Sequence, residues 1–270
     1  MIVIESGGTK STWVCHVKNE SPKTILSVGL HPREISPSKE EVIQELVNEH
    51  KLAGREVYFY GAGCESPEAK LVITEFLEKL GLEVKQVETD IYAACIAHLG
   101  NKPGVVGILG TGAVAAEFDG RKVVRITSGL GYMLGDEGSG FDIGKRLLQA
   151  YFNHKLSLEV NSAIETYFEH KSILHRVYAP DGRMVVAGLT KIVAEYREEQ
   201  IIKQLLQDAF NDFCKTALKP IMSHGDVYLV GSVAYYFKKE LQHVLFEHVY
   251  ALKNIQKEAV SGVFSFLSNN

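Results

Sequence analysis

Short apolar runs alternate with glycine-rich turns along this chain, and one such pattern occurs twice. An apolar strand, a turn of glycine and threonine and a returning strand fill residues 1–17, around Ser6-Gly7-Gly8-Thr9-Lys10. The same order fills residues 105–118, around Gly110-Thr111-Gly112. Apolar runs of this length between turn residues are typical of buried strands. The pattern therefore predicts one structural unit used twice, about a hundred residues apart.

Each repeated unit is followed by segments that alternate between strand and helix periodicity. Further strands are predicted at 23–28, 57–60, 84–87, 122–126 and 227–230. Helices are predicted to begin near Ser36 and Ser66, at 91–99 and after Phe141, and residues 151–222 are mostly helical by spacing. A helix through Tyr236 and Leu241 is followed by a mixed tail, which ends in an apolar stretch at 263–267. The order predicts a duplicated α/β architecture with a helical insertion in its second half.

Composition narrows the class of protein. The 270 residues are 46% hydrophobic and 23% charged, as in soluble globular proteins, and suffice for one large domain or two ordinary ones. A formal net charge of −4 argues against nucleic acid or an anionic membrane as the main partner. No signal peptide or membrane span is predicted. The four cysteines lack paired spacing, which indicates free thiols in a cytosolic protein, and the histidines lack the spacing of a zinc site.

The first glycine turn carries groups that suit a phosphate. Glycine lets backbone N–H groups approach a ligand closely, and Thr9 and Lys10 add a hydroxyl and an ammonium group. Glu5, just before the turn, is a carboxylate of the kind that holds Mg²⁺, usually through water. An ordinary hairpin turn remains the alternative. No Walker A motif is present, because no Gly-Lys-Ser/Thr sequence leads into a helix here.

Asp90 lies where the strand predicted at 84–87 gives way to the helix predicted at 91–99. In open α/β sheets, ligands collect beyond the carboxyl ends of strands. A carboxylate there can accept a proton from a substrate hydroxyl. The alternative is a helix N-cap, which aspartate forms well. The residues alone leave both interpretations open.

Two later stretches add candidate ligand groups. Asp136 and Glu137 lie among five glycines within residues 129–140, which cost more backbone entropy than a plain helix cap requires. A ligand loop is therefore favoured over simple interaction with the helix dipole, with Asp136 as the expected contact. Gly231-Ser232 follows a buried strand and is either a tight turn or a surface for a nucleoside.

Taken together, these motifs resemble one family. They are Ser6-Gly7-Gly8-Thr9-Lys10, Tyr60-Gly61-Ala62-Gly63-Cys64, Asp90, Ile108-Leu109-Gly110-Thr111-Gly112, Leu134-Gly135-Asp136-Glu137-Gly138-Ser139-Gly140 and Val230-Gly231-Ser232-Val233-Ala234. The set is similar to the N-acetylglucosamine kinase family, which belongs with the benzoyl-CoA reductase activator-type ATPases in the actin, hexokinase and heat-shock chaperone superfamily. The similarity extends from residue 1 to about residue 240.

The resemblance implies two ribonuclease-H-like domains with a central cleft for ATP and Mg²⁺. The expected boundaries are 1–103, joined by the C-terminal segment 256–270, and 104–255. By this similarity Glu5 would serve the metal, and Asp90 would deprotonate the sugar 6-hydroxyl for in-line attack on the γ-phosphate. ATP would contact Ser6, Gly7, Gly8, Thr9, Lys10, Gly110, Thr111, Gly112, Gly231 and Ser232. The sugar would contact His31, Asp90, Ala113, Asp136 and Glu137.

Three positions depart from the family pattern. The family usually has Asp at Glu5, often Asn at His31, and Ser-Asn at Ala113-Val114. Two of these lie on the sugar side, so the phosphate-transfer machinery is expected to be better kept than the specificity for N-acetylglucosamine. The resemblance implies N-acetylglucosamine or a related amino sugar as the acceptor, and the departures leave a related polyol open. One alternative is an activator-type ATPase that couples hydrolysis to a conformational change in a partner, although the isolated cysteines lack the iron–sulfur cluster pattern of those proteins. The other is a nucleotide- or sugar-binding regulator with little kinase activity. The sequence leaves the oligomeric state open, a homodimer included.

Overall fold

The computed structural model describes residues 1–7, 10–16 and 21–269. The chain divides into two compact units. Unit 1 comprises Met1–Asn101 with Glu258–Asn270, and unit 2 comprises Lys102–Lys257. The predicted divisions are 103/104 and 255/256, and the assignment of the two units as separate domains stays a prediction.

Unit 1 is built on a five-stranded sheet in the order β3-β2-β1-β4-β5. Its elements are β1 (Ile2–Ser6), β2 (Lys10–Cys15), β3 (Lys23–Val28), a 3₁₀ turn (Pro32–Glu34), α1 (Pro37–Glu49), β4 (Glu56–Gly61), α2 (Pro67–Lys79), β5 (Glu83–Thr89) and α3 (Asp90–Leu99). Strand β1 runs antiparallel to β2 and parallel to β4. Trp13 and Phe59 are fully buried, so apolar burial stabilises this sheet.

Unit 2 repeats this design around a sheet in the order β10-β9-β6-β7-β8. Its strands are β6 (Gly104–Leu109), β7 (Ala113–Phe118), β8 (Val123–Ser128), β9 (Gly225–Val230) and β10 (Tyr250–Gln256). Its helices are α4 (Gly140–Phe152), α5 (Leu158–Tyr167), α6 (Ile173–Val177), α7 (Gly182–Gly188), α8 (Thr190–Glu195), α9 (Gln200–Phe213), a π-helical turn (Cys214–Leu218), α10 (Ser232–Tyr236) and α11 (Lys238–Glu247).

The two sheets are equivalent strand by strand. In each, the first strand runs antiparallel to its hairpin partner on one side and parallel to a later strand on the other. The glycine turns, Gly7 in unit 1 and Gly110–Gly112 in unit 2, therefore follow equivalent central strands. The predicted duplicated α/β architecture is confirmed.

Two elements near the C-terminus were not predicted as a strand or a helix from the sequence. The predicted mixed tail contains β10, which pairs in parallel with β9 at the edge of its sheet. Helix α12 (Val260–Ser268) belongs to unit 1 and packs on α3, β1 and β2. Gly262 permits this close approach, because a Cβ there would lie 2.6 Å from the Cβ of Ala97.

None of the helices in the described ranges is both long and apolar enough to cross a membrane.

Candidate active site

Ser6 anchors the first glycine turn through its buried side chain. Its hydroxyl accepts a hydrogen bond from the Leu30 backbone N–H at 2.7 Å and donates to the Gly7 carbonyl at 3.2 Å. The Gly7 N–H donates to the Lys10 carbonyl at 3.0 Å and closes the turn. The Ser6 hydroxyl is thus committed to the protein, which leaves backbone groups as its means of contacting a phosphate. Gly8 and Thr9, also predicted here, lie outside the described residues.

Glu5 faces the C-terminal helix. Its Oε2 accepts a hydrogen bond of 2.7 Å from the Val260 N–H, and the Ala259 N–H also donates to this carboxylate. Helix α12 has no side-chain cap at its N-cap residue Ala259, so Glu5 takes that role from a distant part of the chain. The pKa of Glu5 is raised to about 7, chiefly by burial and also by the nearby carboxylates of Glu258 and Asp90, while the Val260 N–H lowers it.

Lys10 forms an ion pair with Glu258 at the exposed end of β2. The Lys10 side chain remains 59% exposed, so the pair is a surface contact that solvent screens. Glu258 precedes α12 by two residues. The C-terminal segment therefore contacts both charged groups that the sequence assigned to ATP and metal in this turn.

Glu5 is held by the protein at the position that the sequence assigned to Mg²⁺. Magnesium is usually bound by one or two carboxylates together with water and substrate phosphates, so a single carboxylate beside the first glycine turn is compatible with the prediction. Glu5 Oε2 already accepts a hydrogen bond from the Val260 N–H. The metal role of Glu5 stays a prediction, and no step of the proposed mechanism uses it.

His31 packs against the turn that follows β4. A Cβ on Gly63 would lie 2.4 Å from His31 Nε2, so the glycine, with its φ of +84°, is what admits the ring. His31 Nδ1 accepts a hydrogen bond of 3.2 Å from the Arg33 N–H and caps the 3₁₀ turn. The predicted sugar residue His31 thus has a structural role that the sequence did not indicate.

Asp90 is the first residue of α3, and the N-cap of that helix is Thr89. The Thr89 hydroxyl accepts a hydrogen bond of 3.3 Å from the Tyr92 N–H. The capping interpretation of Asp90 is therefore wrong. Asp90 Oδ1 accepts a hydrogen bond of 2.8 Å from the adjacent Ile91 N–H. Its carboxylate lies at the carboxyl end of β5, where the sequence placed a catalytic base.

The environment of Asp90 suits a general base. The pKa of Asp90 is raised to about 6 by burial, the largest cause, and by the negative charge of Glu65, while the Ile91 N–H lowers it. A base with a pKa near 6 is deprotonated at neutral pH yet binds a proton more strongly than an ordinary aspartate does. Glu65 is exposed in the turn after β4 and was not predicted as a site residue.

The second glycine turn lies under the loop that leads into α4. The Gly140 N–H donates to the Gly110 carbonyl at 2.7 Å, and the Phe141 N–H donates to the Thr111 carbonyl at 3.3 Å. The Gly110 N–H donates to the Gly112 carbonyl at 3.0 Å. Although this last bond occupies one N–H group, Gly110, Thr111 and Gly112 all remain partly exposed. This turn is thus held from two sides while part of its backbone faces solvent.

Asp136 adopts a left-handed backbone conformation within that loop, with a φ of +63°. Its carboxylate is buried, accepts a hydrogen bond from the Ala113 N–H, and forms an ion pair of 3.2 Å between Oδ2 and Arg183. Burial raises the pKa of Asp136, whereas Arg183 lowers it. The structure thus brings together Ala113 and Asp136, the two residues that the resemblance assigns to the sugar, and adds Arg183; their contact with a sugar stays a prediction.

Glu137 and Asp142 complete the loop. Glu137 accepts a hydrogen bond of 3.3 Å from the Thr216 hydroxyl. The buried Asp142 accepts from the Gly138 N–H at 3.1 Å, while the Ser139 hydroxyl accepts from the Asp142 N–H at 3.2 Å. The Ser139 hydroxyl thus caps α4, and Asp142 ties the helix start to the residue before the cap. Asp142 was missed, although its spacing three residues after Ser139 is the signal of such a cap.

Gly231 lies against the start of the second glycine turn. Its φ is +120°, and a Cβ there would lie 2.2 Å from the Leu109 carbonyl oxygen. No other residue fits this position, because a side chain would collide with backbone atoms. Ser232 follows as the exposed first residue of α10. The end of β9 therefore meets the turn that the sequence assigned to phosphate.

Comparison with known proteins gives the family. The model of the BadF/BadG/BcrA/BcrD ATPase family matches residues 4–259. The chain belongs to this family. A curated relative, the N-acetylmuramic acid/N-acetylglucosamine kinase of Clostridium acetobutylicum, is 26% identical over 233 residues, which cover 77% of this chain and 75% of the relative.

Solved structures of similar fold include several kinases. A proposed N-acetylglucosamine kinase from Porphyromonas gingivalis is 26% identical, with a TM-score of 0.92 over 100% of this chain and 99% of the other. A glucokinase of the ROK family from Streptomyces griseus, in complex with glucose and AMPPNP, has a TM-score of 0.61 at 13% identity, over 100% of this chain and 99% of the other. The latter shows the fold alone. Together the comparisons confirm the predicted family, the fold class of actin-like ATPases and the class of enzyme.

Proposed function

We propose that this protein is an ATP-dependent amino sugar kinase that phosphorylates the 6-hydroxyl of N-acetylglucosamine or a related sugar. The observation that carries the proposal is Asp90. Its carboxylate lies at the carboxyl end of a parallel strand, accepts a hydrogen bond from the Ile91 N–H through one oxygen, Oδ1, and has a pKa raised to about 6, while Thr89 serves as the helix N-cap. These are the position and the proton affinity that a base for a sugar hydroxyl needs.

In the proposed reaction Asp90 accepts the proton of the sugar hydroxyl as the hydroxyl oxygen attacks the γ-phosphorus. The bond between that phosphorus and the oxygen of ADP breaks, and the proton later passes from Asp90 to solvent. Phosphoryl transfer needs little covalent chemistry from the protein, so positioning and charge stabilisation dominate. Each unit offers a glycine turn after its central strand, whose partly exposed backbone suits phosphate oxygens.

The assignment of an amino sugar as the acceptor is supported by a named relative and by the contacts of Asp136 in unit 2. The Clostridium acetobutylicum relative is named for N-acetylmuramic acid and N-acetylglucosamine. Asp136, held by the Ala113 N–H and by Arg183, is the carboxylate in unit 2 expected to accept hydrogen bonds from sugar hydroxyls. Both sugars are therefore the first acceptors to test.

The test is ADP release from the full chain, with ATP, magnesium chloride and a panel of amino sugars, followed by identification of the phosphorylated carbon by NMR. Sugar-dependent ADP release with the phosphate on carbon 6 supports the proposal. Asp90→Asn should lose at least about a hundredfold in kcat and still bind ATP. Asp226→Asn, at an exposed aspartate near the start of β9, is the matched control. Full turnover by Asp90→Asn would overturn the assignment of the base.

A second candidate is a nucleotide-binding regulator with little kinase activity. It is favoured by the first turn, where Glu258 pairs with Lys10 and the N–H groups of α12 bind Glu5. These contacts satisfy the charged groups there without a ligand. Nucleotide binding without turnover across the sugar panel would support this candidate.

A further inference from the structure

Arg183 is the basic side chain in contact with the predicted sugar carboxylate. Its Nη2 lies 3.2 Å from Asp136 Oδ2. The Asp136 carboxylate is buried, whereas the Arg183 side chain is 42% exposed. No other hydrogen-bond partner of the guanidinium is found in the described part of the chain. The remaining N–H donors of Arg183 are therefore available to solvent or to a ligand.

Three features fix the guanidinium in place. It lies 5.4 Å from the ring centroid of Tyr132, in the geometry of a cation–π contact. The Tyr132 ring in turn packs edge-on against Phe141, at 4.9 Å between centroids. Gly112 supplies the space, because a Cβ there would lie 2.9 Å from both Arg183 Nη2 and Asp136 Oδ2.

The helix that carries Arg183 is also fixed. Helix α7 approaches α4 so closely that a Cβ on Gly144 would lie 2.0 Å from the Val186 carbonyl oxygen. The Tyr167 hydroxyl donates to the Val185 carbonyl at 2.9 Å. The insertion between β8 and β9 thus delivers one arginine to the loop at Asp136 with little freedom to move.

Asp136 needs such a partner. It holds a left-handed backbone conformation, which is costly for a residue with a side chain. The groups that face its carboxylate are the Ala113 N–H, the Arg183 guanidinium and the negatively charged Glu137. Burial and Glu137 favour the protonated carboxyl, while Arg183 and the Ala113 N–H favour the carboxylate.

We infer that Arg183 is a positioning residue for the sugar site, which holds Asp136 ionised and oriented so that it can accept hydrogen bonds from sugar hydroxyls. This inference rests on the proposed function, in which Asp136 binds the sugar. It assigns a role in sugar binding to helix α7, within the helical residues 151–222, which carry none of the site residues predicted from the sequence. Arg183 acts through Asp136, so its effect is expected on sugar affinity and not on the chemical step.

The test is steady-state kinetics of the full chain with N-acetylglucosamine and with N-acetylmuramic acid at saturating ATP. Arg183→Gln should raise the KM for both sugars about tenfold or more, since a hydrogen bond between charged groups is lost, and leave kcat within about threefold. Arg183→Lys should restore part of the affinity. The matched control is Arg176→Gln, which removes another Arg–Asp pair, with Asp181, from the same insertion.

The pH dependence separates positioning from a structural effect. Without Arg183 the pKa of Asp136 rises further, so the carboxylate is lost at a higher pH. As the pH is lowered, the sugar KM should begin to increase in both proteins, and in Arg183→Gln this increase should begin at a higher pH than in the wild type. The pH dependence of kcat should stay unchanged. If Arg183→Gln does not fold, Arg183→Lys, which keeps the positive charge but offers fewer and differently placed N–H donors, should show the same shift of the sugar KM profile to higher pH, reduced in size.

If the wild type phosphorylates amino sugars, three results for Arg183→Gln would overturn the inference and leave the proposed function standing. The first is a fall in kcat at an unchanged sugar KM, and the second is a sugar KM equal to that of Arg176→Gln. The third is a loss of affinity for N-acetylmuramic acid with no loss for N-acetylglucosamine. The last would show that Arg183 contacts the carboxylate of that substrate directly. Absence of turnover by the wild type with every amino sugar would instead overturn the proposed function, and the inference with it.

Discussion

The carboxylate of Glu5 accepts a hydrogen bond of 2.7 Å from the backbone N–H of Val260, 255 positions further along the chain. This contact joins the last residues before the first glycine turn to the start of helix α12. The exposed N–H groups at a helix start favour a negative partner, and Glu5 supplies it where α12 has no cap of its own. The C-terminal segment is thereby fixed to β1 within unit 1.

Replacement of Glu5 should separate its role as a helix cap from its charge. Glu5→Ala should lower the free energy of unfolding by about 1–2 kcal/mol, because α12 loses its N-terminal acceptor. Glu5→Gln keeps an acceptor oxygen and removes a charge that burial, Glu258 and Asp90 all disfavour, so its stability at pH 8 should equal or exceed that of the wild type. Urea unfolding of the three proteins measures this. Equal destabilisation by both variants would show that the negative charge is required.

The pH profile of sugar phosphorylation should report Asp90. Its pKa is raised from the ordinary value to about 6, so the base is protonated and inactive below that pH and ionised above it. The value of kcat should therefore rise as the pH increases towards 6 and level off above it. Measurement between pH 5 and 8 checks this, and a flat profile across that range would contradict it.

Removal of Glu65 should shift that profile. The Glu65 charge raises the pKa of Asp90, so Glu65→Gln should move the acid limb of kcat to lower pH. Glu68→Gln, at an exposed glutamate on the same segment, is the control and should leave the limb in place. Identical profiles for wild type and Glu65→Gln would show that burial alone determines the pKa of Asp90.

The ion pair between Lys10 and Glu258 should compete with nucleotide binding. If Lys10 binds a phosphate group of ATP, Glu258→Gln should raise the affinity for a non-hydrolysable ATP analogue by up to about fivefold, as expected for an exposed pair. Lys10→Gln should lower that affinity. Titration calorimetry gives both constants. An affinity that falls in Glu258→Gln would show that Glu258 assists nucleotide binding.

Two glycines of the second turn should respond differently to alanine. A Cβ on Gly110 meets no atom within 4 Å, whereas one on Gly112 lies 2.9 Å from both Arg183 Nη2 and Asp136 Oδ2. Gly110→Ala should fold normally and weaken ATP binding, because the added methyl group keeps phosphate from the backbone. Gly112→Ala should chiefly raise the KM for the sugar. The KM for ATP and the KM for the sugar, measured for each variant, distinguish these effects, and the melting temperatures check that each variant folds.

Local patterns in the sequence were sufficient for the main elements of both sheets. Apolar runs bounded by glycine turns predicted β1, β2, β6 and β7, because strands buried in a core consist of short apolar runs between turn residues. Serine and proline signals located the starts of α1 and α2. Strand β10 escaped prediction, since a sheet edge needs few buried residues and its sequence is mostly polar.

The candidate site likewise has features that the sequence predicts and features that only the tertiary structure decides. The sequence alone determined that Asp90 follows a strand and that glycines form both turns, because these properties depend on near neighbours along the chain. The tertiary structure decided that Thr89 caps α3, that Glu5 meets Val260, and that Arg183 meets Asp136 across 47 positions. Such partners are brought together by the packing of whole elements. Local sequence spacing therefore does not predict which distant side chain will contact a given residue.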